Sequence, residues 1–452
     1  MNERSYRLEN EKMSKLLMNL SLPATIGMIV NALYNIVDTI FIGRGVGYLA
    51  IGGLTVAFPI QMMIMAVAQM IGIGAASAIS RSLGAKDIER ADHVAGNSFL
   101  TVTFLGILIC ILGSIFVEPL LRLFGATDTL MPYGKEYIQV ILLGSIYFPF
   151  VVSANNLIRA EGNGKAAMFS MLIGTILNIF LDYIFIFPLA MGIRGAALAT
   201  IVSQFVSLIY VLVYIYGGSS TLKVKLHHLK PDKGIMIEMV TVGFPAFARQ
   251  FAGSFVAIVL NNSLVAYGGE LAIAIFGVIN RVTMFLFMPL FGIVQGMQPI
   301  AGYNYGAKRI DRVKEVLKLS ILYTTVFAAF STMIGELFPG AIFGMFDDDP
   351  LLIEKGVTAL RISIAMVPII GVQIVGAALF QSLGKAMPSL ILSLLRQVFL
   401  LIPLVLILPR LFGLGLLGIW MSIPLADVLS TLITIVLLKS EMKKINLQFQ
   451  VE

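Results

Sequence analysis

A chain of 452 residues in which 58% are hydrophobic and only 13% are charged is no soluble globular domain, where about a quarter of residues carry charge. Its net charge of +7 does not mark a nucleic-acid binder, because the lysines and arginines gather in short connections between apolar runs, a pattern that sets orientation in a membrane. One cysteine, Cys110, makes no intramolecular disulfide, and no CxxC or Cys/His metal pattern is present.

A membrane-spanning helix needs about 20 apolar residues. The N-terminal stretch is polar to about Lys15, too long and too acidic for the head of a cleaved signal peptide, so the first span is expected to be retained. Twelve spans are predicted, at about 16–40, 50–78, 93–117, 132–153, 166–187, 194–216, 236–261, 270–297, 314–338, 356–378, 388–409 and 414–438. Pro23, Pro59, Pro149, Pro245, Pro289, Pro368, Pro403 and Pro424 fall inside them. Membrane helices tolerate proline because neighbours and waters satisfy the freed carbonyls. With the N-terminus in the cytoplasm, the inner connections carry 22 basic residues and the outer ones 6, which supports an even number of spans and two cytoplasmic termini. The external Asp347, Asp348 and Asp349 before Pro350 read as a cap for span 10.

The chain repeats itself at one spacing. Ser21-Leu-Pro23-Ala matches Gly243-Phe-Pro245-Ala, Gly84-Ala-Lys-Asp-Ile-Glu-Arg90 matches Gly306-Ala-Lys-Arg-Ile-Asp-Arg312, and Leu157-Ile-Arg-Ala-Glu-Gly162 matches Leu379-Phe-Gln-Ser-Leu-Gly384. Every pair has the same offset in numbering, 222 (245 − 23, 306 − 84, 384 − 162). Six spans per unit is an even number, so both units enter from one face and the repeats are parallel. The expected fold is an all-α polytopic membrane protein: twelve transmembrane helices in two parallel six-helix repeats around a central cleft. Its domains would be 1–216, a cytoplasmic linker 217–234, and 235–452.

What the repeats do not share is a candidate for function. At the repeat offset Asp38 falls on Leu260, Asn35 on Ala257, Asn31 on Gly253, Asp182 on Leu404 and Asn178 on Leu400. A charge at bilayer depth costs several kcal/mol on most estimates and marks ion paths and proton relays. Asn31, Asn35 and Asp38 stand at i, i+4 and i+7 on one helix face, flanked by Tyr34, and Asn178 and Asp182 at i, i+4. Thr200 adds a hydroxyl at a compatible depth, and Asn155 and Asn156 add amides near the inner end of span 4. Such oxygens suit Na⁺, and desolvated carboxyls can carry H⁺ instead. Asn31, Tyr34, Asn35 and Asp427 are also candidates for lining a substrate cleft. Arg249, Arg281, Arg361 and Arg396 are intramembrane bases without assignable partners. His227 and His228 lie in the basic linker with no third ligand near in sequence, so no metal site is expected there.

Two six-span repeats, Pro23, the run Val37-Asp38-Thr39-Ile-Phe-Ile-Gly43, the Gly84-Ala-Lys86 loop, Arg159-Ala-Glu-Gly162 and Asn178-x3-Asp182 together resemble the MATE (multidrug and toxic compound extrusion) family over essentially the whole chain. The likeness is to bacterial members, the MepA-like branch. It implies a secondary active exporter of cationic, amphipathic compounds, driven by inward Na⁺ or H⁺, monomeric, with no other cofactor, in the cytoplasmic membrane of a bacterium. It also implies a cation site of Asp38, Asn178, Asp182 and Thr200 with Asn155 or Asn156. The rival reading is a lipid-linked oligosaccharide flippase of the same wider superfamily, which needs bases for an anionic pyrophosphate. A membrane enzyme would need a nucleophile and base or a metal at the membrane face, and no such set is found.

Overall fold

The computed structural model describes residues 3–346 and 349–451, and no strand occurs among them. A short amphipathic helix, α1 (Glu3–Asn10), precedes α2 (Met13–Gly45), α3 (Tyr48–Gly84), α4 (Ile88–Ile115), α5 (Val117–Leu123), α6 (Met131–Gly144), α7 (Phe148–Ala160), α8 (Gly164–Ile186) and α9 (Gly192–Tyr216). A 3₁₀ turn, Leu226–Leu229, occupies the linker. There follow α10 (Lys233–Gly306), α11 (Ile310–Leu337), α12 (Pro339–Gly344), α13 (Pro350–Ile364), α14 (Val367–Ser382), α15 (Ala386–Leu394), α16 (Ile402–Ile407) and α17 (Leu416–Val451).

Among the described residues nine helices are long and apolar enough to span a bilayer, and two bent pairs would make eleven. α10 is two spans, broken at Gly269 (φ 64°, ψ −158°), so the total is twelve (9 + 2 + 1), as the hydropathy pattern implies. Spans 4 and 10 are each broken into two helices. The pairs α6–α7 and α13–α14 bend by 52° and 45°. Each break falls just before a proline, Pro149 or Pro368, which lacks an N–H and clashes with the carbonyl four residues back. Pro23, Pro59 and Pro424 sit inside unbroken helices.

The duplication is visible in the backbone. Positive φ recurs at Gly47 and Gly269, Lys86 and Lys308, and Gly162 and Gly384, each pair separated by the repeat offset. The starts of α4 and α11, Ile88 and Ile310, keep the same offset, as do those of α5 and α12, Val117 and Pro339. The chain forms two compact units, Met1–Glu11 with Leu22–Phe247, and Lys12–Ser21 with Ala248–Glu452. α2 and α10 are each divided between the units within a turn of Pro23 or Pro245. They cross the linear division into 1–216 and 235–452.

In the first unit, α3 and the opening of α10 meet at backbone contact. A Cβ on Gly74 would lie 1.9 Å from the Met239 carbonyl oxygen, and one on Gly243 1.7 Å from that of Met70. Small residues at such crossings replace the hydrophobic driving force that lipid removes. Gly243→Ala must push the two backbones apart and is expected to cost about 1–3 kcal/mol, as overpacking does. The check is a fall in the thermal unfolding midpoint in detergent, and an unchanged midpoint would refute the close crossing.

Glu161, from the Arg159-Ala-Glu-Gly162 motif, ties the linker to the first unit. Its buried carboxylate accepts from the Ser220 hydroxyl (2.9 Å) and the Thr221 backbone N–H, and meets Arg4 of α1 at 3.5 Å. In the second unit Asp349 caps α13, accepting from the backbone N–H groups of Leu351 and Leu352, as the sequence suggests. Asp347 and Asp348 lie outside the described residues.

Candidate cation-coupling site

Within the first unit, α2 and α8 approach closely. A Cβ on Gly45 would fall 2.2 Å from Ile186, and Phe41 of α2 packs edge-on against Tyr183 of α8 and Phe187 just beyond its end. Gly174 of α8 admits α9, with Ser207 Oγ 2.5 Å from where its Cβ would be. Edge-to-face rings and close glycine contacts hold such helices without polar glue.

This packing brings Asp38 and Asp182 together. Both are buried, at 5% and 0% exposure, and their carboxyls face each other within hydrogen-bonding reach. Asp38 Oδ1 and Asp182 Oδ1 have no hydrogen-bond partner among the described residues. Oriented to satisfy both neighbours, the Asn178 amide donates to Asp182 Oδ2 at 3.0 Å and accepts from the Thr200 backbone N–H at 3.0 Å. The Thr200 hydroxyl donates to the Ala196 carbonyl at 3.1 Å and lies within hydrogen-bonding reach of the Tyr34 phenol. Asn178, Thr200 and Tyr34 thus gather around the two buried acids. No lysine or arginine approaches the two acids among the described residues. Two carboxylates side by side cannot both stay ionised without a counter-cation, so the arrangement can hold a cation or a proton.

Other candidates lie elsewhere. Asn155 and Asn156 are engaged with other partners. Their carbonyl oxygens accept from Arg159, that of Asn156 at 2.6 Å. Asn155 also donates to the Ala167 carbonyl, and Asn156 to Gln69. Arg159 stands at i+4 and i+3 from them, which puts its guanidinium across both amides. Asn31 and Asn35 remain exposed. The Asn35 amide donates to its own helix, at the Asn31 carbonyl (2.7 Å). Asp427 of α17 belongs to the second unit. It is fully buried and paired with Arg396 at 2.5 Å.

Of the remaining bases, Arg361 meets Glu336 at 3.6 Å and Arg249 lies over the Phe291 ring at 6.0 Å. Arg281 is exposed.

Tyr137 and Gln61 complete the surroundings of the acids and are not among the residues expected from sequence. Tyr137 is buried close enough to feel the charges of Asp38 and Asp182, and accepts from the Gln61 amide at 3.1 Å. A signal for Tyr137 existed, since its repeat counterpart is Ala359. The linker histidines, set aside for want of a third ligand, have Glu89 and His93 beside them.

The MatE family model matches the chain twice, over residues 23–184 and 245–407. The chain belongs to the MatE family. The two matches begin at Pro23 and Pro245, one repeat offset apart, so the duplication and the resemblance read from the sequence are both borne out. This MatE chain is 27% identical over 430 residues to the multidrug export protein MepA of Staphylococcus saprophyticus, covering 95% of this chain and 94% of that protein. It is similar to a structure described as an outward-facing conformation of a multidrug resistance MATE family transporter of the MOP superfamily (TM-score 0.93, 27% identity, 99% of each chain). It is equally similar to a MOP superfamily transporter from Pyrococcus furiosus, whose description reports reverse polarity of the binding pocket and suggests a different function (TM-score 0.93, 27% identity, 99% of each chain). Membership makes this a multi-pass membrane transporter and not an enzyme.

Proposed function

We propose that this protein is a secondary active multidrug exporter that expels cationic, amphipathic compounds by alternating access in exchange for inward protons. The observation that carries the coupling is the buried Asp38–Asp182 pair, with one oxygen of each acid unpartnered and no fixed positive charge beside it among the described residues. The closeness of the two carboxyls favours H⁺ over Na⁺. A hydrogen bond between two carboxyls needs a shared proton. Proton uptake and drug binding that favour different conformations are enough to couple the two fluxes.

The substrate class rests on relatives named for multidrug export that match over nearly their whole length. The bias of 22 basic residues inside against 6 outside supports a place in the bacterial cytoplasmic membrane with both termini in the cytoplasm, and a single chain carries both repeats. The flippase reading is weaker, because Arg396 and Arg361 are held by acids and Arg249 by a ring.

The test is transport of a fluorescent organic cation in proteoliposomes of the purified protein, with proton and Na⁺ gradients imposed separately. Movement against the proton gradient, unaffected by Na⁺ alone, is the expected result. Movement with Na⁺ alone would overturn the choice of ion, and movement with neither would overturn the exporter.

A further inference from the structure

The chain has three histidines, His93, His227 and His228. All three lie in one group with Glu89, their ligand atoms within 4.8 Å of one another. Glu89 and His93 stand at i, i+4 in the opening of α4, and His227 and His228 sit in the 3₁₀ turn of the linker. The turn is held against α4 independently of these side chains. Asn97 accepts from the Asp232 N–H at 2.8 Å and donates to the Lys230 carbonyl at 3.2 Å. Asp92 accepts from the Lys223 N–H at 2.8 Å. A Cβ on Gly96 would sit 2.3 Å from the His228 carbonyl oxygen.

The three imidazoles do not have the same role. His228 Nδ1 accepts from the Lys225 backbone N–H at 3.0 Å, so in the neutral ring the proton is on Nε2. That Nε2–H donates to Glu89 Oε1 at 3.0 Å and fixes the carboxylate, as hydrogen bonds from outside a metal site fix its ligands. His93 Nε2 and His227 Nε2 each lie 3.4 Å from the same oxygen. That is long for an N–H···O hydrogen bond, which prefers about 2.7–3.2 Å. It matches the edge of a tetrahedron built on metal–ligand bonds of about 2.0–2.1 Å, an edge of about 3.3 Å.

We propose that Glu89, His93 and His227 form an open three-ligand site for a divalent transition cation of the Zn²⁺ class, oriented by His228. Two imidazoles and a carboxylate are the donor set such ions prefer over Mg²⁺ or Ca²⁺. The ligand side chains are 66%, 33% and 56% exposed, so an ion reaches them from solvent and a fourth position stays free. A bound ion crosslinks the linker to the first turns of α4.

The experiment is a Co²⁺ titration of the full chain purified without a polyhistidine tag, followed by the visible absorption of the ion. Because every histidine of the chain is in this group and Cys110 is the one thiol, imidazole coordination can arise nowhere else. One equivalent should bind with the intense bands of four-coordinate Co²⁺. His93→Ala and His227→Ala should each weaken binding at least about 100-fold, and His228→Ala about tenfold, as a residue outside the ligand set does. Glu89→Gln, at an exposed position that does not threaten folding, should lose the four-coordinate bands. A weak six-coordinate spectrum in the native protein, or equal affinity in the native chain, His93→Ala and Glu89→Gln, would overturn the site.

Discussion

Asp38→Asn and Asp182→Asn are each expected to reduce gradient-driven export by at least about 100-fold, toward the upper end of the coupling between linked sites, while the protein stays folded. Each substitution keeps the shape of the side chain and removes its capacity to take and release a proton. In Asp38→Asn the new amide can donate to the Asp182 carboxylate, and that bond does not change with the state of the cycle. In Asp182→Asn the bond from the Asn178 amide loses its charged acceptor, and Asp38 stands alone in a buried site. Drug binding to the purified variants should change far less than transport, because neither acid is exposed. Measuring transport and binding on the same preparations separates loss of coupling from loss of fold. Full export by the double variant Asp38→Asn/Asp182→Asn would end the proposed mechanism.

These two acids were legible because the chain contains its own comparison. A duplicated scaffold keeps what packing requires in both copies, so Asp38 against Leu260 and Asp182 against Leu404 stand out. Tyr137 against Ala359 carried the same signal in a weaker form, since a tyrosine in an apolar span is ordinary. Asn155 and Asn156 show what depth alone leaves out. Both sit near the right level, yet Arg159 one turn along occupies both amide carbonyls, and its i+3 and i+4 spacing could have been read.

What spacing along the chain does not contain is contact between distant segments. His93 and His227 stand in different parts of the sequence, one opening span 3 and the other in the linker after span 6. Only the fold of the linker onto α4 brings them together. The breaks in spans 4 and 10 are an intermediate case. Prolines mark them, but Pro149 and Pro368 break their spans while Pro23, Pro59 and Pro424 do not. Whether neighbours can satisfy the freed carbonyls decides the outcome, and neighbours are a property of the packed molecule.

Arg396→Met is expected to be the most destabilising single change, at about 3–5 kcal/mol, because it strands a buried carboxylate. Asp427 is fully buried in α17, and Arg396 reaches it at 2.5 Å from a π-helical segment, Leu395–Leu401. Such segments shift side chains off the regular helical register and often occur at functional positions. Removing both charges in Arg396→Met/Asp427→Leu should recover most of the loss, since a well-packed apolar pair is often as stable as a buried ion pair. Thermal unfolding of the three proteins in detergent measures this. A single variant that loses less than about 1 kcal/mol, or a double variant no more stable than the single, would show that the pair is not what holds α17 to that segment. The contrast with the first unit bears on mechanism. Asp427 has a fixed guanidinium beside it and so has little reason to exchange a proton during a cycle. Asp38 and Asp182 have none among the described residues, and each must be neutralised by something that comes and goes. In the proposed mechanism that difference puts coupling in the first repeat and leaves a structural role to the charge in the second. It predicts that the recovered double variant still exports its substrate on a proton gradient.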